Sequence, residues 1–237
     1  STTGLGYPAV YQFFRWVAGL AFGLSVYGFC RLCVKDRFRR MLAFSLILFT
    51  SGFGWALVAQ KHLMGLADVP SPLALYLSEA NSFLAILGYP HFVFAAAHIV
   101  AVFGLFVVSL RRRQLRWAIL AGVVALSLGL QHAYDLLTVY AVIGAFVLLL
   151  MVRERRLRWF EIKAVALVGL ISFGPPLYFF YLTRADPLWS QVLGQFRNID
   201  VWTPDPFRLV ILMGVVLLLG VAAIIADLVR PRRDETL

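Results

Sequence analysis

Long apolar runs alternate with short polar segments along almost the whole chain of 237 residues. About twenty helical residues are needed to cross the hydrocarbon core of a bilayer, which is roughly 30 Å thick. Seven apolar stretches reach that length or come close to it. The pattern therefore predicts about seven transmembrane helices, at residues 9–30, 41–60, 91–110, 115–131, 136–152, 162–182 and 207–229.

The fourth and fifth of these stretches are short, and they meet at the polar segment Gln131–Asp135. A single continuous helix would place Asp135 inside the hydrocarbon, at a cost of about 2.5–3.5 kcal/mol or more. Two helices joined by a tight turn avoid that cost. We therefore expect a turn at residues 131–135.

The composition supports the same fold class. Hydrophobic residues make up 61% of the chain, charged residues make up 14%, and the mean hydropathy is +0.83. Soluble domains contain roughly 45–50% apolar and about 25% charged residues. A soluble enzyme, a disordered tail and a disulfide-rich secreted module are thereby excluded. The expected fold is an all-α polytopic transmembrane helix bundle, with residues 1–237 forming a single transmembrane domain.

The net charge of +10, from 22 basic and 12 acidic residues, is distributed unevenly. Every second loop is rich in Lys and Arg, which is typical of cytoplasmic loops. This distribution predicts that the N-terminus is outside and the C-terminus inside. Because the basic residues lie in short interhelical loops rather than on one continuous face, nucleic acid is not an expected partner. The loops of the basic set hold seventeen of the 22, within residues 31–40, 111–116, 153–163 and 230–233.

Two of the predicted outer segments, residues 61–90 and 183–206, are longer than a turn requires. In the first, Ser71 or Pro72 is a suitable helix start, and the apolar positions that follow favour an amphipathic helix lying at the membrane interface. The second contains Trp189 and Trp202 among charged residues. We expect it to be a polar loop with aromatic anchors at the interface.

The predicted outer face also collects the unusual polar residues Glu79, His91, His132 and Asp135. Histidine and carboxylate side chains together can act as a general base, or hold a divalent cation or a phosphate. Alternatively, each can simply lie in a loop and hydrogen-bond to turns, headgroups and water. No catalytic residue can be assigned from this pattern, and the four residues form a candidate cluster.

His98 differs from these residues because it lies within a predicted span, seven residues after His91 and on the same helical face. One interpretation is a histidine that hydrogen-bonds to a neighbouring helix. The other, less favoured one is an axial ligand to a haem or chlorin, which would need further ligands that the sequence does not show.

Two further motifs have a mainly structural interpretation. Cys30 and Cys33 have redox or metal-binding spacing, but no second pair completes a zinc site, and we expect reduced structural thiols and no bound metal. The Gly174–Pro176 segment is expected to break or kink the sixth span, because proline lacks the N–H group and clashes with the preceding turn.

The order of these landmarks resembles bacterial proteins of the GT-C superfamily of polytopic membrane glycosyltransferases. The resemblance covers nearly the whole chain, through motifs of moderate specificity. The residues that carry it are Gly52–Trp55, Glu79–Phe83, Tyr89–Phe92, the basic segment Arg111–Arg113, His132–Asp135 and Gly174–Pro176.

The resemblance implies a multi-pass protein of the bacterial cytoplasmic membrane that transfers a sugar from a polyprenyl-phosphate donor on the outer face. The family uses an acidic residue in its first outer loop as base, sometimes with a divalent cation. Since nothing acidic precedes Asp36, we expect that this chain corresponds to the middle and later portion, without the catalytic acidic loop. The outer cluster would then contact the donor phosphate or the acceptor, and Arg184 and Arg197 would bind phosphate.

A second hypothesis is a non-catalytic accessory or structural subunit of a larger membrane complex, photosynthetic or respiratory, in contact with other subunits and with pigment through His98. The absent acidic loop and the modest outer loops favour it. A transporter ranks third, because the sequence shows neither an intramembrane carboxylate pair nor an inverted repeat.

Overall fold

The computed structural model describes residues 6–49, 51–66, 77, 80–195 and 205–229, and the regular structure in these ranges is entirely helical. Its helices are α1 (Tyr7–Cys33), α2 (Arg37–Phe49), α3 (Gly54–Leu63), α4 (Ser82–Gly88), α5 (Pro90–Arg112), α6 (Leu115–Gln131), α7 (Asp135–Glu154), α8 (Trp159–Ser172), α9 (Gly174–Ala185), α10 (Pro187–Gln195) and α11 (Pro206–Val229).

These helices confirm an all-α polytopic bundle. Within the described ranges, α1, α5, α7 and α11 are each long and apolar enough to cross a membrane. Two bent pairs, α2 with α3 and α8 with α9, bring the count to as many as six. Helix α6 is apolar but has only 17 residues. The seven predicted stretches thus correspond to five single helices and two bent pairs. The orientation with the N-terminus outside stays a prediction.

The chain divides into two compact units. The first contains residues 1–44 and 90–201, and the second contains residues 45–89 and 202–237. The single transmembrane domain expected for the whole chain stays a prediction.

Helix α6 is the central helix of the first unit, where it packs against α5 and α8. Its buried face consists largely of small residues, Ala118, Ala121, Gly122, Ala125 and Gly129. Small side chains allow close approach of helix backbones, which is how membrane helices gain packing energy when lipid is as apolar as the helix surface. A Cβ atom on Gly122 would lie 2.9 Å from Ile171 Cδ1 and 3.3 Å from the Leu167 carbonyl oxygen of α8.

Helices α1, α5 and α7 end at the side of this unit where α6 and α8 begin. Near its C-terminal end α1 contacts the C-terminal end of α5, where the Arg111 guanidinium donates to the Leu32 carbonyl at 2.6 Å. The α5–α6 turn contacts the start of α8, because Arg113 pairs with Glu161. We call this the arginine-rich end. Its members are Arg111–Arg113, Arg116, Arg153, Arg155, Arg156, Arg158 and Lys163.

An ion-pair network lies at the arginine-rich end and centres on Glu161, whose side chain is only 3% exposed. Its Oε1 atom is 2.7 Å from Arg113 Nη1 and 3.0 Å from Arg158 Nη2. Arg158 and Arg156 also pair with Glu154, which is more exposed. Some of the arginines that the sequence indicates as topology markers therefore also join helices α7 and α8 to the α5–α6 turn.

Two helix interruptions meet in the second unit. The bent pair α2 and α3 changes direction by 52°, and α11 is kinked at Gly214, which has φ 60° and ψ −140°. The Phe53 N–H donates to the Ile211 carbonyl at 2.7 Å. A backbone group at one interruption therefore hydrogen-bonds to a backbone group at the other. A Cβ atom on Gly52 would lie 2.1 Å from the Leu212 carbonyl oxygen, which explains the glycine there. Neither interruption was expected from the sequence.

Two further features predicted from the sequence are confirmed, and a third lies outside the described residues. The turn at 131–135 and the break before Pro175 are confirmed, the latter as a 47° bend between α8 and α9. The proposed helix start at Ser71 or Pro72 lies outside the described residues, whereas α4 begins at Ser82 with the Asn81 side chain accepting from the Leu84 N–H.

The expectation of a loop throughout residues 183–206 is wrong in part, because α10 occupies Pro187–Gln195. The Asp186 carboxylate accepts from the Leu188 N–H at 2.8 Å, and proline follows it directly. A capping aspartate with proline at the first helical position is a helix-start signal that the charge pattern obscured.

Replacing Gly122 by Ala tests the close packing of α6. We expect Gly122→Ala to lower the free energy of unfolding by about 1–3 kcal/mol, because α8 must move to accommodate the methyl group. Gly144→Ala is the matched control, since a Cβ atom at Gly144 meets nothing within 4 Å. Unfolding by dodecyl sulfate in mixed micelles measures both. Equal destabilisation by the two variants would contradict the close packing.

Replacing Glu161 by Gln tests the buried ion pair. The variant leaves Arg113 and Arg158 without their shared carboxylate, and we expect a loss of about 1–3 kcal/mol because both arginines retain some access to water. Glu154→Gln removes the more exposed pairs and should cost clearly less. The same unfolding assay compares the two, and a Glu154→Gln effect as large as that of Glu161→Gln would argue against a structural role for the buried carboxylate.

Candidate functional site

Three of the four predicted cluster residues lie together at the opposite end of helices α5, α6 and α7 from the arginine-rich end. The His91 and His132 rings are stacked, with centroids 5.8 Å apart and planes 25° apart. The Asp135 Oδ2 atom lies 3.6 Å from His132 Nδ1. We call His91, His132, Tyr134 and Asp135 the histidine cluster. Along α5, His91 and Arg112 at the arginine-rich end are about 32 Å apart, at 1.5 Å per residue.

The turn between α6 and α7 fixes the central histidine. His132 follows the last residue of α6, and its N–H donates to the Leu128 carbonyl at 2.7 Å. Its own carbonyl accepts from the Asp135 N–H at 3.1 Å, which begins α7. Because both backbone groups of His132 are bonded to the helices on either side, the backbone that carries the imidazole has a defined position.

The His132 ring is enclosed by other rings and is only 6% exposed. Phe92 meets it edge-on with centroids 5.5 Å apart, and the Tyr134 hydroxyl lies 2.6 Å from Nδ1. His91, in contrast, is exposed at the start of α5. The cluster therefore offers one accessible imidazole stacked on a buried one.

Burial lowers the pKa of His132 below its ordinary value, because the protonated ring loses hydration. The Asp135 carboxylate opposes this shift and the neighbouring His91 adds to it, but burial is the largest influence. The 3.6 Å separation from Asp135 is longer than a hydrogen bond, so the carboxylate acts on the ring mainly through its charge. His132 is consequently neutral at neutral pH.

The break between α8 and α9 lies in the layer next to the cluster. A Cβ atom on Gly129 would be 2.7 Å from Leu136 Cδ1 and 3.1 Å from Pro175 Cβ, so these three residues are closely packed. Ser172 ends α8, and its hydroxyl donates to the Val168 carbonyl and is 2.7 Å from the Tyr140 hydroxyl. The kink expected from the two prolines thus supports the helix ends that carry His132 and Asp135.

The remaining predicted site residues are not part of this cluster in the described structure. Glu79 and Arg197 lie outside the described residues. Arg184 is in the last turn of α9, where its guanidinium carbon lies 3.6 Å from the centroid of the Phe180 ring. It is exposed and held by a cation–π contact.

His98 hydrogen-bonds through both ring nitrogens. Nδ1 lies 2.7 Å from the Phe94 carbonyl oxygen of its own helix, and Nε2 lies 3.1 Å from the Ser127 hydroxyl of α6. The ring therefore donates from Nδ1 and accepts at Nε2, the nitrogen that a haem or chlorin would need. This arrangement supports the interpretation of His98 as a link between helices.

Metal binding gains no support from the part of the chain that the structure describes. No three His, Cys, Asp or Glu side chains there are grouped so that they could hold a metal ion. Cys30 is buried, Cys33 is exposed, and both are free thiols near the end of α1.

Sequence reasoning did not select Tyr134 as a site residue, although its hydroxyl makes the shortest contact to His132. The indication was present, since Tyr134 lies within the polar turn between His132 and Asp135.

Comparison with models of known protein families, with curated proteins and with solved structures finds no match to this chain.

The lowered pKa of His132 predicts a pH-dependent stability. As the pH falls below 6.5, the ordinary value of histidine, the unfolded state takes up a proton before the folded state does, and the free energy of unfolding decreases. His132→Gln should reduce the stability lost between about pH 7.5 and about pH 5. Unfolding curves at both pH values measure the difference.

The control is His62→Gln, which removes the exposed histidine of α3. A His132→Gln protein that loses as much stability on acidification as wild type would show that the buried imidazole is not responsible.

Proposed function

We propose that this chain belongs to a membrane glycosyltransferase of the GT-C type and that its histidine cluster binds a polyprenyl-phosphate sugar donor. The observation that carries the proposal is the grouping of His91, His132, Tyr134 and Asp135 at the end of the bundle opposite the arginine-rich loops. Under the predicted orientation, this end faces outward, where such donors are used.

The chemistry of the cluster suits a phosphate next to a hydroxyl-bearing molecule. The exposed His91 ring can donate an N–H to a phosphate oxygen, and protonation of this imidazole would strengthen the bond. The N-termini of α5 and α7 lie at the same end, and the positive ends of their helix dipoles favour an anion. These groups would stabilise the lipid phosphate as it leaves with the electron pair of the broken sugar–oxygen bond.

Asp135 and His132 have a different role in the proposal. A carboxylate repels a phosphate, so Asp135 is better placed to accept a hydrogen bond from a sugar or acceptor hydroxyl. The buried, neutral His132 supports the His91 ring from below and holds the Tyr134 hydroxyl. It is a positioning residue, since only 6% of it is exposed.

The experiment measures lipid binding by the full chain in nanodiscs. Undecaprenyl phosphate should bind more tightly than undecaprenol, as measured by native mass spectrometry. His91→Phe keeps a ring stacked on His132 but has no N–H group. It should weaken binding of the phosphate about tenfold, because a hydrogen bond to a charged group contributes about 1.5–3 kcal/mol. Binding of undecaprenol should not change.

His62→Phe is the matched control, because it makes the same change at an exposed histidine of α3. Equal binding of the phosphate and the alcohol, or an unchanged affinity for the phosphate in His91→Phe, would contradict the proposal. Tight binding of partner membrane proteins without lipid-phosphate binding would instead favour the non-catalytic subunit.

A further inference from the structure

The turn between α5 and α6 is held rigidly. The Ser109 hydroxyl donates to the Gln114 carbonyl at 3.0 Å, and the Gln114 N–H donates back to the Ser109 carbonyl at 3.2 Å. Arg113 adopts a left-handed conformation with φ 53°, which directs its guanidinium to the buried Glu161. The side chains carried by this turn are thereby presented from a fixed backbone.

Two arginines that flank the turn contact the same tryptophan. The guanidinium carbons of Arg112 and Arg116 lie 5.3 Å and 5.6 Å from the centroid of the Trp117 ring. The Gln114 side-chain oxygen accepts from Trp117 Nε1 at 3.2 Å and from Arg116 Nε at 3.1 Å. The hydrogen bond from Arg116 to Gln114 uses only Nε of the guanidinium, so the N–H groups of the two terminal nitrogens remain for another acceptor.

The charges of this pair are not neutralised within the part of the chain that the structure describes. There, the ion pairs of the arginine-rich end involve Arg113, Arg156 and Arg158, and neither Arg112 nor Arg116 takes part in one. Both side chains are exposed. Two guanidinium groups fixed on one indole therefore offer an anion a site whose geometry already exists.

The helix surface beyond the pair is apolar. Ile119, Leu120 and Val123 follow Arg116 at the spacing that places them on the same face of α6, and they are 46%, 42% and 50% exposed. Arg112 is also the last residue of the α5 span. Basic and tryptophan side chains at the end of an apolar span are located where lipid headgroups lie. A free phosphate would use the arginines alone, whereas a lipid would use the arginines and the apolar face.

We infer that Arg112, Arg116 and Trp117 form a binding site for the phosphate of an anionic lipid headgroup, with an acyl chain along Ile119, Leu120 and Val123. Arginine suits this role because its planar guanidinium can donate two parallel hydrogen bonds to a phosphate. The site lies at the other end of the bundle from the histidine cluster and does not depend on the function proposed for that cluster.

The test titrates the full chain with dioleoyl phosphatidylglycerol and dioleoyl phosphatidylcholine and counts bound lipids by native mass spectrometry. Wild type should bind the anionic lipid more tightly. The double variant Arg112→Gln/Arg116→Gln should lose affinity for phosphatidylglycerol about tenfold or more. The matched double variant Arg153→Gln/Arg155→Gln removes the same charge from the other loop of this end and should change the affinity by less than about twofold.

Three outcomes would overturn the inference. Equal losses in the two double variants would show a diffuse attraction to positive charge, and equal binding of the two lipids by wild type would remove the headgroup preference. Displacement of phosphatidylglycerol by millimolar inorganic phosphate would identify a free-anion site instead. The two wild-type experiments can overturn the inference even if a variant fails to fold, which thermal unfolding would reveal.

Discussion

Close packing along the small-residue face of α6 is the interaction on which the rest of the first unit depends. Ala118, Gly122 and Ala125 let α5 and α8 approach this helix, and a single added carbon at Gly122 would already be too close to α8. Since lipid competes on equal terms with apolar side chains, such close approach is a principal source of helix association in a membrane. This packing also places the turns at both ends of α6 and the polar groups that those turns carry.

A second constraint applies wherever a helix is interrupted, because backbone groups in hydrocarbon need internal partners. The α6–α7 turn satisfies them through His132, whose N–H and carbonyl bond to the flanking helices. In the second unit, the Phe53 N–H finds the carbonyl of Ile211 beside the kink at Gly214. Glycine permits both the contact and the positive φ angle there.

The two ends of the first unit differ in their chemistry. One end has a buried carboxylate, Glu161, that ties two arginines together, while Arg112 and Arg116 stay exposed on Trp117. The other end has a neutral buried imidazole beneath an exposed one. The first arrangement suits a lipid headgroup at the membrane surface, and the second suits a phosphate next to a hydroxyl group.

The sequence by itself determined the fold class, because apolar runs of about twenty residues have one stable solution in a bilayer. It also determined the turn at Asp135 and the break at Pro175, since a buried charge and a missing N–H group are local costs. Only the tertiary structure decided that His91 contacts His132, that Glu161 is buried, and that Gly52 meets the kinked α11. Those contacts join residues that are far apart in the chain, and hydropathy and local geometry carry no information about which helices pack together.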